Sequence, residues 1–232
     1  MRTRNVLLAV VAVAVLVVAG ALWWLYASRN QLIKAAIEKF GPEISGVAVS
    51  VGGVDLQPTE GMVSITDLRL GNPKGFSAPD ALRLSDMRVK VDPATLTQNV
   101  VHIQEVALQA PEITYERGGG TTNLQVIQKN VDDYVASHSG GKSDAGPGKK
   151  FVIDNLYVRD AKVHFGTTMT LPLPETHLRD IGKKSNGATA GEVVKECWGS
   201  IVRGATSLAG RAGAAVKEGV GAAVGGVKKL FK

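Results

Sequence analysis

Apolar and polar residues alternate along most of this chain, and in the middle of each run the alternation slips by one position. Val63, Ile65, Leu68 and Leu70 are apolar, with the pair Thr66-Asp67 between the inner two. Writing Φ for an apolar residue, the template is Φ-x-Φ-x-x-Φ-x-Φ. It recurs at Val49, Val51, Val54 and Leu56 around Gly-Gly, and at Leu82, Leu84, Met87 and Val89 around Ser-Asp. It recurs again at Val101, Ile103, Val106 and Leu108 around Gln-Glu, and at Phe151, Ile153, Leu156 and Val158 around Asp-Asn. Five copies stand against about one expected by chance at this apolar content. Three successive copies begin 19 residues apart, at 63, 82 and 101, and the last begins 50 later, with Ile113 and Tyr115 matched by Val163 and Phe165.

A period of two predicts a strand with one apolar face, and the extra residue would flip that face unless a β-bulge absorbs it. The pattern therefore predicts an α+β protein built on a twisted, bulged antiparallel sheet, a repetitive meander whose strands turn the same face to one side. Residues 101 to 116 and 151 to 165 read as hairpins. A helix with Leu32, Ile33, Ala36, Ile37 and Phe40 on its apolar face is expected to start at Ser28, lie against the sheet and stop at Gly41-Pro42. Thr122 is placed to cap a second helix with Leu124, Ile127, Val131 and Tyr134 on one face. Asp92-Pro93 suits a short helical turn, and Leu171-Pro172-Leu173-Pro174 suits a sheet edge.

The two ends differ from this middle. Residues Val6 to Ala27 are almost wholly apolar, about 22 residues, enough to span a hydrocarbon core of about 30 Å. Arg2 and Arg4 precede the run and Trp23, Trp24 and Tyr26 crowd its far end, which predicts a single-pass transmembrane anchor with a cytoplasmic N-terminus. A cleaved signal peptide ending at Ala19-Gly20-Ala21 is the competing reading; the length of the run favours the anchor. No Cys follows that site, which argues against a lipoprotein. From about Thr189 the tail carries Trp198, Ile201, Leu208, Val216, Val220, Val224, Val227, Leu230 and Phe231 at mostly helical spacing. Its glycines and alanines make that helix weak alone, and Arg203, Arg211, Lys217, Lys228, Lys229 and Lys232 make it basic. Those features predict an amphipathic helix on a membrane surface, with packing inside the molecule or against itself as the alternative. The resulting division is 1–27 stub and anchor, 28–136 first part of an α+β domain, 137–150 linker, 151–188 second hairpin and extended segment, and 189–232 tail.

Composition narrows the chemistry. The 232 residues are 44% hydrophobic with a net charge of +6, a balance that suits anionic membrane surfaces. Nucleic acid is disfavoured, because no basic patch is interleaved with aromatics. Cys197 is the sole cysteine, so no internal disulfide exists. It reads as a small apolar residue on a helix face, although a lone thiol is also able to cross-link two copies. No nucleophile elbow, zinc-protease motif, paired-cysteine site or phosphate loop occurs. His102, His138, His164 and His177 have no ligand spacing, and Asp67, Asp86, Glu105 and Asp154 sit at the bulges as solvated turn-formers. No catalytic residue, metal or cofactor is therefore assigned, and the chain is read as non-enzymatic.

The order of features resembles the N-terminal module of the bacterial AsmA-like family. The resemblance rests on the anchor, Gly71-Asn72-Pro73, Pro79 through Leu82, the strand Met87 to Val91, the stretch Ile103 to Ile113, and Thr122-Asn123-Leu124. It covers roughly residues 1 to 127. It implies an inner-membrane protein with its bulk in the periplasm, a repetitive β-groove that handles phospholipid, and a part in outer-membrane assembly or lipid transport. About eight strands at ~4.8 Å give only about 40 Å of sheet, so further copies or envelope partner proteins would be needed to extend such a groove.

Two functional readings follow. In the first, Val63, Ile65, Leu68, Leu70, Leu84, Met87, Val89, Ile103, Val106, Leu108, Ile153, Leu156 and Val158 line a groove for acyl chains. In the second, the same residues form a closed core under the two helices, and the protein is a scaffold or membrane tether. An open apolar face would separate the first from the second.

Overall fold

The computed structural model describes residues 30–138, 149–166 and 169–230, with side chains described up to residue 212. The predicted anchor, the linker residues 139–148 and Phe231 lie outside these. Among the described residues no helix is long and apolar enough to cross a membrane.

One mixed sheet of nine strands fills six positions across. β1 (Val49–Gln57), β2 (Met62–Gly71) and β3 (Asp80–Val91) form the expected antiparallel meander. The fourth position is shared by β4 (Val100–Gln109) and β5 (Glu112–Tyr115), both antiparallel to β3. After the short hairpin β6 (Arg117–Gly118) and β7 (Thr121–Thr122), α2 (Asn123–His138) leads to β8 (Lys150–Arg159) and β9 (Lys162–Phe165). These run parallel to β4 and β5. β10 (Met169–Pro172) pairs with β9 and β11 (Thr176–Ile181) with β8, both antiparallel, closing the sixth position.

The two predicted hairpins at 101–116 and 151–165 are thus each one long, kinked strand, and the sheet is not a pure antiparallel meander. The 50-residue repeat is the parallel register itself: Val101 pairs with Phe151, Ile103 with Ile153, Val106 with Leu156, Leu108 with Val158 and Ile113 with Val163. A parallel pair needs a crossover, and α2 lies in the connection between the two strands.

The slips in the alternation are bulges, and they line up. Gly52, Asp67, Ser85, Ala110, Asp160 and Pro174 are skipped by the pairing at successive positions while the register on either side is kept. Asp67, Ala110 and Asp160 take left-handed φ values of 52°, 49° and 54°. A second row runs through Gln104, Asp154 and Asp180. Each row creases the sheet without turning its apolar face over, because neighbouring strands bulge together.

That face is covered by α2 and by α3 (Ala190–Leu230), which packs antiparallel on α2. Thr189 caps α3: its hydroxyl accepts from Glu192 N–H at 3.2 Å, and the Glu192 carboxylate accepts from Thr189 N–H at 2.7 Å. Trp198 is 5% exposed and Ile201 2%, and Trp198 Nε1 donates to the Leu124 carbonyl at 3.2 Å. Leu208 packs at the margin of the same core. Trp198, Ile201 and Leu208 are therefore core residues, which corrects the expectation that they meet a membrane surface. Val216, Val220, Val224, Val227, Leu230 and Phe231 lie beyond the described side chains.

Cys197 packs against this core, and desolvation pushes its thiol up to about 12. Only the thiolate reacts. At pH 8 iodoacetamide should modify it on the order of 1,000-fold more slowly in the folded chain than in urea, and rates within threefold of each other would contradict this placement.

The first helix, α1, occupies residues 30–45 in the described range and continues through Gly41-Pro42 rather than stopping there. Tertiary contacts override the breaker. A side chain at Gly41 would strike Val49, Ser45 Oγ donates to the Gly41 carbonyl at 2.7 Å, and Ile44 and Val47 are buried. The helix stops at Gly46, whose φ is +70° and where a Cβ would lie 2.4 Å from Asn130 Nδ2.

Candidate functional site

α1 does not place its apolar side on the sheet as expected. Asn30, Lys34 and Glu38 repeat every four residues and so share one face. That face runs along the free edge of β1. Glu38 Oε1 accepts from Val51 N–H at 2.9 Å, Asn30 Oδ1 accepts from Leu56 N–H at 3.0 Å, and Lys34 Nζ donates to the Gly52 carbonyl at 3.4 Å. An edge strand is a template for unwanted pairing, and these side chains occupy two of its donors and one of its acceptors. Ile33, Ile37 and Ile44 fall on a neighbouring stripe; Ile44 belongs to the core over the sheet, and Ile33 and Ile37 are half-buried.

Cross-strand rows make the floor. One row pairs Leu56 with Val63, Val63 with Val89, Val89 with Val106 and Val106 with Leu156. The next pairs Val54 with Ile65, Ile65 with Met87, Met87 with Leu108 and Leu108 with Val158. Apolar neighbours directly opposite each other stabilise the ladder and keep one face greasy. Cover changes along each row. Val106 and Leu108 are 4% and 6% exposed, whereas Met87, Val89, Val63, Val54 and Leu56 are only partly buried.

Of the thirteen predicted groove residues, Leu84, Val106, Leu108, Ile153, Leu156 and Val158 are sealed in the core under α2 and α3. Ile65 is 7% exposed. Val63, Leu68, Leu70, Met87, Val89 and Ile103 remain partly open. On β1 to β3 the cover is uneven. Beyond the first crease Val51, Leu82 and Leu84 are buried while Leu68 and Leu70 are partly open; before it Val54, Leu56, Val63, Met87 and Val89 are partly open around the buried Ile65, a shallow apolar trough on the side of the β1 edge. Three strands at ~4.8 Å and five residues at ~3.4 Å make it roughly 10 by 15 Å.

A second feature joins the residues that carried the family resemblance. Asn123, fully buried, accepts from Glu116 N–H at 2.9 Å and donates to Asn72 Oδ1 at 2.9 Å and to the Thr114 carbonyl at 2.8 Å. Asn72 Nδ2 donates to Glu116 Oε1 at 2.9 Å and to the Ala78 carbonyl at 3.0 Å. The Glu116 carboxylate accepts from Ser77 N–H at 2.7 Å and Ala78 N–H at 2.8 Å. This clamp fastens the β2–β3 loop to the start of α2. Sequence reasoning singled out both asparagines as fixed positions and missed Glu116, which has no motif of its own.

The outer face carries the charges. His102 Nε2 lies 3.0 Å from Asp154 Oδ2 and Lys183 Nζ 3.5 Å from Asp154 Oδ1. The hydrogen bond from His102 holds the Asp154 carboxyl below its ordinary range. Asp67 is likewise lowered by its hydrogen bonds from Arg69. Between α2, α3 and the loop at 182–188 lies an open cavity of about 630 Å³ lined by both polar and apolar groups, with Asp132 paired to Lys195 at 3.0 Å. Among the described residues no three His, Cys, Asp or Glu side chains gather as a metal site.

Comparison of the chain with models of protein families, with curated proteins and with solved structures finds no match.

Proposed function

We propose that this chain is a non-enzymatic, membrane-anchored periplasmic protein of AsmA-like type, which holds phospholipid acyl chains on the open part of its sheet and contributes to lipid handling in the envelope. The observation that supports this most is the change of cover along the apolar rows. The same ladder of aliphatic side chains passes from a sealed core at Val106 and Leu108 to a trough at Val89 and Met87, without a polar residue entering the row. Ligand pockets are lined predominantly by apolar side chains, and these rows supply such a lining. The trough accommodates part of one lipid, so the step is local unless other copies or partner proteins lengthen it.

The scaffold reading draws on the other half of the rows. Six of the thirteen residues are ordinary core, and in that reading a partner's apolar surface covers the trough instead of lipid.

Met87→Asp separates the two. Met87 is partly exposed on the floor, so the change should lower stability by only about 1 kcal/mol. Native mass spectrometry of the full chain should find bound phospholipid on the parent and a loss of most of it on the variant. A parent that carries no phospholipid, with the variant equally empty, would turn the assignment to the scaffold.

A further inference from the structure

We infer that α1 is an interfacial helix, lying flat on the membrane surface with Leu32, Ala36 and Phe40 in the boundary between headgroups and acyl chains. This rests on the anchor reading of residues 6 to 27. Three observations converge. First, α1 is docked by its polar stripe, Asn30, Lys34 and Glu38, onto the β1 edge, so its orientation is fixed with a different face outward. Second, Leu32 and Phe40 are two turns apart on that outward face with Ala36 between them, and at 52% and 48% they are the most exposed of the large apolar residues described. Lys39 Nζ sits 5.2 Å from the centre of the Phe40 ring, where its chain flanks the stripe and its charge can reach anionic headgroups. Third, the apolar run ends at residue 27, three residues before α1 is first described, which limits the separation to about 10 Å.

A helix with Leu and Phe on one face, Lys beside them and a membrane span just before it meets the requirements for lying in the interface, its apolar side about 5 to 10 Å deep. The consequence is an orientation. With α1 flat, the β1 edge is the side of the sheet nearest the lipid surface, with α1 between them, while Leu96 in the β3–β4 loop and Met169 at the start of β10 stand away from it.

The experiment uses the full chain with Cys197→Ser, carrying one of Leu32→Cys, Phe40→Cys, Leu96→Cys or Met169→Cys labelled with an environment-sensitive fluorophore. It is reconstituted into phosphatidylethanolamine and phosphatidylglycerol vesicles containing shallow doxyl-labelled lipid. Quenching at positions 32 and 40 should be roughly threefold greater than at 96 and 169. Quenching at 32 and 96 with none at 40 would overturn the proposal in favour of an end-on domain. Equal, weak quenching at all four would overturn it as well, and a chain that washes off the vesicles would overturn the anchor reading together with it. Failure of the trough to carry lipid leaves the quenching pattern unchanged, so the two ideas fail separately.

Discussion

A chain ending at Ala188 does not fold. The sequence leaves the tail from Thr189 either on a membrane surface or packed within the molecule, and the structure takes the second for its first turns: Trp198, Ile201, Val202 and Ala205 are all between 0% and 9% exposed and belong to the same cluster as Leu124, Ile127 and Val131. Burying a large apolar side chain contributes about 1.5 to 3 kcal/mol. Trp198, Ile201, Val202 and the partly buried Leu208 together therefore supply roughly 6 to 12 kcal/mol. That is comparable with the entire stability of a domain, about 5 to 15 kcal/mol. Removing α3 also strips cover from α2, β8 and β11 and leaves the Leu124 carbonyl without the Trp198 donor. Circular dichroism should show a cooperative melt for the full chain and none for the shortened one. A chain ending at Arg211 keeps the buried turns of α3 and should melt close to the parent. If the chain cut at Ala188 melts cooperatively within a few degrees of the parent, α3 is not part of the core.

Asn123→Ala should lower stability by about 3 kcal/mol, the largest effect expected from a single polar residue in this molecule. The side chain is 0% exposed and makes three hydrogen bonds. Its loss leaves Glu116 N–H, Asn72 Oδ1 and the Thr114 carbonyl short of a partner in a half-buried site, and each unsatisfied buried group costs about 1 to 3 kcal/mol. For a chain of this size the midpoint should fall by roughly 10 °C. Asn72→Ala, which keeps the Asn123 contacts to strand β5 and to Glu116, should lose less. The β2–β3 loop should also become the first site of proteolysis in the Asn123 variant, because Glu116 no longer holds Ser77 and Ala78 from a fixed backbone. A thermal midpoint within about 2 °C of the parent would show that the clamp contributes little.

The strands were legible because period two and its slip are written in residue type. Gly52-Gly53, Thr66-Asp67 and Ser85-Asp86 interrupt the apolar alternation where the pairing skips. The 50-residue repeat was legible too, but its meaning was not. The breaks at Ala110-Pro111 and Asp160-Ala161 read as hairpin turns but only crease a continuous strand, and the crossover through α2 sets the two repeats parallel. The helix at 30–45 failed on a different point. Its apolar arc was read from Leu32, Ile33, Ala36, Ile37 and Phe40, and an apolar arc ordinarily faces a sheet; the polar triplet Asn30, Lys34 and Glu38 was available as a signal, since two acceptors and a donor at four-residue spacing match the exposed N–H and C=O groups of an edge strand. For the tail, a core and a membrane surface ask for the same helical stripe, so Trp198 and Ile201 could not choose between them. Gly199 and Gly204, which allow close approach to Gln128 and Leu173, were the local hint of packing inside the protein.

The account turns on the trough on the side of the β1 edge holding an acyl chain. The direct measurement is photolabelling of the full chain with a phospholipid bearing a diazirine near the middle of one acyl chain, followed by mapping of the modified peptides. The account predicts label on Val54 to Ile65 and on Met87 to Val89, diminished by Met87→Asp. Label confined to α1 and the apolar run at 6–27, with the floor residues untouched, would contradict it and turn the assignment to a closed scaffold.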